Sequence, residues 1–509
     1  MPLARLAYLI IPSSGFACYN RQMKETIRIF TICALSLIVT ALFYHAEGWI
    51  VPGGSAMFFT WGEALFTHRT LPPDFAQRDL GFPFLIWLSG YPWTHSIRGI
   101  ALVYAAFGAL MPPLTYWTIR PFGAWLAWLT AIFVIVSCAP WLFAKFFYHD
   151  QTCIFASVLA LTFLGLYLAY EHRAWLWLFL AAAIFASISR PAMNAVFPCL
   201  MFVAIAFGPR RHWWSILGCI AVFGLSLLAY QTYRSHVFDT ARLGYTPSYA
   251  GEQIFYDAYV NAEELGYPLN DLHAPRFDLL RAALHRYLGQ PDKLAEAIEA
   301  EPQSFQANFR YPDLEQRIWQ HPNYEYALFL DGVASDDLLL GAALDIYRAW
   351  PAYAVRVVAR NLWHFVFFPG FAHTRYNLVG YTQTGLQFYP AGSDSTEISL
   401  FPSVAQAEMR TSPDPVLDLI APWWMRLYQP FIFASSLLVL MGWAAICSAP
   451  RLHSRAFIGI FLAATGLFVY NALIVSAFAE PDYRYQGMIL VLRIALCGFA
   501  LIAIKPKNP

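Results

Sequence analysis

Charge is what this sequence has least of. Of 509 residues only 13% are Asp, Glu, Lys or Arg, about half the share usual in soluble domains, while 58% are hydrophobic and 17% aromatic. That balance suits a body embedded in lipid far better than a soluble enzyme. Recognisable soluble-site chemistry is also missing: there is no CxxC, HExxH, P-loop or GxGxxG arrangement, so the usual metal and nucleotide sites drop out and no cofactor is expected. Any reaction must draw its energy from the substrate. The eight cysteines, at 18, 33, 138, 153, 199, 219, 447 and 497, all avoid the long polar stretch, which is therefore not stapled by disulfides. No secretory leader is expected either, because the apolar patch from Leu6 to Ile11 is too short for one and Phe16-Ala17-Cys18 is only a faint lipoprotein box.

What is present is a series of apolar runs near the roughly 20 residues that cross a hydrocarbon core as a helix. A spanning helix satisfies its own backbone hydrogen bonds, which lipid cannot do. The runs fall at 27–44, 97–119, 121–139, 151–170, 174–189, 192–208, 213–232, 428–449, 456–477 and 486–504. Basic residues cluster at Arg21, Lys24 and Arg28, at Arg120, at His172 and Arg173, at Arg210 and Arg211, at Arg451 and Arg455, and at Lys505 and Lys507. The positive-inside rule puts all of these in the cytoplasm, which needs an even number of spans and leaves both termini cytoplasmic. The fold class expected is an all-α polytopic membrane protein of about ten transmembrane helices, with an amphipathic first outer loop and a mostly helical periplasmic domain. It divides into an N-terminal transmembrane module (1–232) holding the first outer loop (45–96), a periplasmic domain (233–427), and C-terminal transmembrane helices (428–509). A bacterial inner membrane is the expected location, membrane lipids are expected neighbours, and no nucleic-acid partner is.

Function should lie in the interruptions. In the first outer loop, Met57, Trp61, Ala64 and Leu65 recur at helical spacing, which predicts a helix along the membrane surface. The loop continues through Asp74, Arg78 and Asp79 to Gly81-Phe82-Pro83-Phe84-Leu85, and it also holds Glu63. Two more outer segments carry charge, Ala144 to Asp150 and Ala479-Glu480-Pro481-Asp482-Tyr483-Arg484-Tyr485. Ser189-Arg190-Pro191 sits between two apolar runs, where an arginine is expensive unless it is paired or meets water. A proline suits the first position of a helix, so Pro191 would hold Arg190 by the positive end of the next one, a setting fit for phosphate. The plainer role for such an arginine is to snorkel to the interface.

In the polar stretch, Phe277, Leu280, Leu284 and Tyr287 mark a helical face, Ser335 is placed to cap a helix through Tyr347, and Trp350-Pro351 opens an amphipathic segment reaching Phe368. In that last segment Val355, Leu362, Phe365 and Val366 could lie against the membrane. Residues 377–409 read as loop or short strands. Tyr245, Tyr249, Phe255, Tyr256, Tyr259 and Tyr267 could stack on sugar rings, although ordinary packing is the commoner use of such side chains.

Taken in order, these landmarks resemble the GT-C superfamily of membrane glycosyltransferases, of the protein mannosyltransferase and aminoarabinose transferase type. The resemblance rests on Arg78 with Gly81-Phe82-Pro83-Phe84-Leu85, on Asp150 before a span, on Arg190-Pro191, on Trp350-Pro351-Ala352-Tyr353, and on Glu480 with Arg484-Tyr485. It implies inverting-type transfer of a sugar from a polyprenyl-phosphate donor to a glycan, lipid or protein acceptor on the outer face. Arg78, Arg190, Glu480, Arg484 and Tyr485 would bind substrate, and a carboxylate would take the acceptor proton. The family's early Asp is absent, since Gly53-Gly54-Ser55 stands there. Either the base comes from Asp79, Asp150, Glu63 or Asp74, or the acceptor chemistry differs, or transfer is no longer catalysed; no metal ligand set is visible. Other classes make other demands: a transporter should show internal repeats and broken helices, whereas Asn194 and Asn471 are the few polar residues deep in spans. A noncatalytic scaffold would fit the missing Asp, and a glycan polymerase or ligase would be a near neighbour in chemistry.

Overall fold

A computed structural model describes residues 15–45, 55–66, 79–141, 149–190, 193, 196–237, 254–255, 258, 262, 267–268, 271–288, 336–367, 402–408, 415–478 and 489–505. Among them there is no strand. The helices are α1 (Gly15–His45), α2 (Ser55–Ala64), α3 (Gly81–Leu88), α4 (Tyr91–Thr94), α5 (Arg98–Ile119), α6 (Ala124–Val136), α7 (His149–Tyr170), α8 (Arg173–Ser189), α9 (Val196–Phe207), α10 (Trp213–Val237), α11 (Pro275–Leu288), α12 (Asp336–Ala349), α13 (Pro351–Phe367), α14 (Ser403–Glu408), α15 (Pro415–Ser448), α16 (Arg455–Phe478) and α17 (Leu490–Ile504). Six of them contain a stretch long and apolar enough to cross a membrane, within α1, α5, α7, α15 and α16 and across Arg210–Arg234 of α10 and the turn before it. The chain is thus an all-α, multi-pass membrane protein. The shorter apolar helices α6, α8, α9 and α17 fall on the remaining runs of the sequence.

Burial ranks the helices from centre to rim. In α7, 78% of the most apolar window is buried, against 17% in α1 and 22% in α10, so α7 is the axis and the other two present apolar surface to lipid. Close approach comes from small residues, as membrane helices require when lipid is as apolar as leucine. An added Cβ on Gly442 of α15 would lie 2.8 Å from Cα of Ala500 on α17. Hydroxyls and indoles cross-link the helices: Thr118 and Thr162 share a hydrogen bond of 2.8 Å, Trp141 Nε1 donates to Thr40 at 2.9 Å, and Trp443 Nε1 donates to Thr465 at 3.0 Å.

The basic clusters gather at one end of the bundle. Glu25 of α1 accepts from Tyr116 Oη at 2.6 Å and pairs with Arg120, while Arg211 reaches Glu171 at 2.7 Å and Arg455 donates to the Ala206 carbonyl. This is the segregation the charge pattern predicts. If that end is cytoplasmic, a cysteine placed at Ser454 of an otherwise cysteine-free protein stays unlabelled by a membrane-impermeant thiol reagent in intact cells. Cysteines at Ser248 and Ser393 are labelled, and the reverse result would invert the orientation.

A second, smaller core forms from Phe255, Phe277, Leu280, Leu339, Ile346, Tyr353 and Val357, joining α11, α12 and the start of α13. Asp345 of α12 accepts from the backbone N–H groups of Arg276 and Phe277 at 3.0 and 3.2 Å, capping the first turn of α11 from outside. The expected face of α11 is confirmed at Phe277 and Leu280, and helix α12 runs through Tyr347 as expected. Phe255 is buried, and Tyr267 packs on Trp350 and Tyr353 at 5.2 and 4.8 Å between ring centroids, so both serve as packing. Ser335, Tyr245, Tyr249, Tyr256 and Tyr259 lie outside the described residues. Within the segment expected to be loop or strand, Ser403–Glu408 is helical instead.

Helix α13 differs from expectation in where it points. Phe365 is buried in the main core with Leu362 and Val366 packed against it, while Val355 stays 70% exposed, so the C-terminal half enters the bundle rather than lying on it. The cause is Arg493 of α17, which is 2% exposed. Its guanidinium donates to the carbonyls of Phe365 (3.1 Å), Val366 (3.0 Å) and Ile432 (2.9 Å) and to the hydroxyls of Ser435 and Ser436 (3.2 and 3.1 Å). The last carbonyls of a helix have no intrahelical partner and carry its negative partial charge. Arg493 thus plugs the end of α13.

Candidate functional site

The end of the bundle opposite the basic clusters is assembled by the first loop folding back on itself. Helix α2 buries Phe58, Phe59 and Trp61, and Phe82 of α3 meets both phenylalanines edge-on, with ring centroids at 5.2 and 6.2 Å. Phe82 also stacks on Tyr104 of α5 at 5.6 Å. The turn into α3 then touches the end of α8: a Cβ on Gly81 would lie 2.7 Å from Cα of Ser189 and nearer still to its hydroxyl, so only glycine fits. Sequence positions 81 and 189 therefore share one place, and the residues beside them, Asp79 and Arg190, belong to one region.

Asp79 is 6% exposed. Its Oδ1 accepts from Arg234 Nη1 at 3.1 Å and from Tyr230 Oη at 3.1 Å, both from the last turns of α10. Tyr230 Oη in turn accepts from the Leu80 backbone N–H at 3.2 Å and from Arg234 Nη1 at 3.3 Å. Arg78, beside Asp79 in the chain, lies outside the described residues; the described ion pair is with Arg234, a buried charge-assisted contact.

Arg190 closes one helix. It is the C-cap of α8, in extended conformation (φ −162°, ψ 135°), with its N–H on the Ala186 carbonyl at 3.3 Å. The next described α-helix runs from Val196 and Met193 lies in a 3-10 turn ahead of it, while Pro191 is outside the described residues; the end of α8 that Arg190 caps is its negatively polarised one. Its carbonyl accepts from Met193 N–H at 2.9 Å, and Ser157 of α7 contacts the Met193 sulfur at 3.7 Å. Asp150 lies in the first turn of α7. The two residues after it are wholly buried: Gln151 Nε2 donates to the Pro140 carbonyl at 2.7 Å, and the Thr152 hydroxyl shares a 3.2 Å bond with Tyr104. Tyr104 also carries Phe82, which ties the start of α7 to the turn holding Asp79.

Glu63 is not part of this group. It faces His95 Nδ1 at 3.2 Å with its side chain 36% exposed, and together with burial, the larger influence, its charge pushes the Tyr91 phenol above its ordinary pKa. Asp74, Arg78, Glu480, Arg484 and Tyr485 lie outside the described residues, as do Gly53 and Gly54. Beneath the site a cavity of about 20 Å³ runs between α7 and α17, lined by Cys153, Ser157, Met193, Asn471, Ile489 and Leu492 among others. That is room for about one water molecule and not for a sugar. Among the described residues no group of three or more His, Cys, Asp or Glu could hold a metal ion.

Three residues escaped the sequence reading. Glu408 of α14 accepts from Ser96 Oγ at 2.9 Å and Ile97 N–H at 2.8 Å and pairs with Arg98 at 3.0 Å, capping α5 across more than three hundred positions. Nothing local in the sequence signals this. Arg234 had a signal, since Tyr230 and Arg234 share a helix face four residues apart where an apolar run ends. Arg493 had a stronger one, a lone arginine inside an apolar run. No protein-family model, no curated protein and no solved structure matches this chain.

Proposed function

We propose that the protein is an inverting-type membrane glycosyltransferase that moves a sugar from a polyprenyl-phosphate donor to a glycan, lipid or protein acceptor. In this reading the chain crosses a bacterial inner membrane ten times, both termini are cytoplasmic, and the end carrying Asp79 faces the periplasm. The observation that supports it best is the meeting of three segments far apart in sequence, 79–81, 189–190 and the start of α7, at the end of the bundle away from the basic clusters. An acceptor hydroxyl attacks the anomeric carbon, the bond from that carbon to the phosphate oxygen breaks, the polyprenyl phosphate leaves as an anion, and the hydroxyl proton passes to a carboxylate. Asp79 is the first candidate for that base and Asp150 the second. Arg190 offers the departing phosphate a cation, joined in this reading by Arg484.

One observation favours a second reading, a noncatalytic scaffold. The carboxylate of Asp79 is sealed from solvent and already engaged by Arg234 and Tyr230, and the family's early acid is replaced by Gly53-Gly54-Ser55. Mass spectrometry of the lipids that copurify with the protein separates the two, because a transferase should carry a polyprenyl-phosphate sugar and turn it over. Replacing Arg190 by Ala should weaken donor binding at least tenfold, as expected for loss of a charge-assisted contact of roughly 1.5–3 kcal/mol. Lys should recover part of the loss, keeping charge but not the two-pronged fork. Unchanged lipid affinity in a folded Arg190→Ala protein would remove this residue from the donor site.

A further inference from the structure

Two residues that no sequence motif marks close around Asp79, and they hold it differently. Arg234 bonds the side chain at Oδ1, while the Tyr230 hydroxyl bonds the same oxygen and also takes the neighbouring backbone N–H of Leu80. Both stand four residues apart on one face of α10, a 25-residue helix, whereas Asp79 lies in irregular chain just ahead of α3. The helix therefore fixes both the backbone and the carboxylate of the irregular segment, and the side chains of Asp79 and Arg234 are each only 7% exposed, where charge-assisted bonds are strong.

We propose that Arg234, assisted by Tyr230, is the positioning residue for the Asp79 carboxylate in sugar transfer. This rests on the glycosyltransferase reading. A base that must meet an acceptor hydroxyl in one geometry gains from being held before substrate arrives, and a displacement of about 1 Å can cost on the order of a hundredfold in rate. A fixed counter-charge with a second hydrogen bond supplies that restraint, and Tyr230 transmits it to the turn whose Gly81 rests on Ser189, next to Arg190. The competing role is a clamp that only ties the loop to the helix.

Kinetics on the full-length protein in lipid nanodiscs separate the two, using synthetic polyprenyl-phosphate hexose and pentose donors and reading release of polyprenyl phosphate. Arg234→Met should lower kcat at least ~10-fold with KM for the donor within ~3-fold of the original, and Arg234→Lys should recover most of the loss. The double variant Asp79→Asn with Arg234→Met guards against misfolding, because removing both members of a buried ion pair is often neutral for stability whereas removing one is not. It should melt no lower than Asp79→Asn alone and be no more active. Unchanged kcat in folded Arg234→Met overturns the proposal and leaves the transferase reading standing. Recovery of both melting and turnover in the double variant shows a clamp only. A natural protein that turns over no lipid-linked sugar defeats the reading itself, and the proposal with it.

Discussion

Asp79→Asn should lose at least a hundredfold in turnover while the donor remains bound, because a positioned general base contributes about a hundred- to ten-thousandfold to a rate and an amide cannot take the proton. Asp150→Asn should be the next most damaging, and Glu63→Gln and Asp74→Asn complete the set. The buried setting of Asp79 adds a second consequence. Asparagine can still accept from Tyr230, but it takes the Asp79 charge away from the buried Arg234 guanidinium, a loss on the order of 3–5 kcal/mol where one partner of a buried pair is removed. Turnover must therefore be read per folded molecule, beside the melting midpoint. Wild-type turnover in all four amide variants would rule out a carboxylate base in these segments. If the unaltered protein transfers nothing from any lipid donor, the scaffold reading prevails.

The contrast between Asp79 and the transmembrane helices shows which features are local. Each apolar run read from the sequence holds a helix, with most ends displaced by a few residues and with α1 and α15 starting at Gly15 and Pro415, well ahead of runs read from 27 and 428, because a helix in lipid is dictated by its own composition and closes its own hydrogen bonds. Helix α6 starts at Ala124 rather than near 121 because Gly123 is extended (φ −172°, ψ 91°). Partnerships are not local. Asp79 is met by Arg234, 155 residues on, and Glu408 caps a helix 311 positions away. Periodicity reports which face of a helix is apolar, not which neighbour it meets, so the members of the candidate site were partly legible and its connections were not. Arg190 illustrates the same limit at short range: whether an arginine between two helices serves the end of the first or the start of the second depends on where the backbone leaves helical angles, and here it does so at Arg190 itself.

Arg493→Ala should be the most destabilising change in the bundle. The arginine donates to three backbone carbonyls and two hydroxyls, and its guanidinium lies 4.8 Å from the Phe468 ring centroid, so truncation removes several charge-assisted bonds at once and takes the charged donor from the last carbonyls of α13. The bonds overlap, since the Ile432 carbonyl also accepts from Ser435 at 2.9 Å and the Val366 carbonyl from Ser436, which keeps the expected cost on the order of 3–5 kcal/mol rather than the sum of five separate terms. Lysine should recover part of this, having charge and three donors but no fork to span Phe365 and Val366 together. Methionine tests the assignment more sharply: it fills similar volume and avoids burying a charge, so a Met variant as stable as the original would show that apolar packing of Phe365 alone holds α13. Hydrogen exchange localises the effect. Loss of the plug should speed exchange in the C-terminal half of α13 well before the second core around Tyr353 responds, because Tyr353 is held separately by its 2.6 Å bond to the Ala258 carbonyl. Equal acceleration throughout α13 would mean that Arg493 stabilises the bundle as a whole and does not act as the cap of that helix.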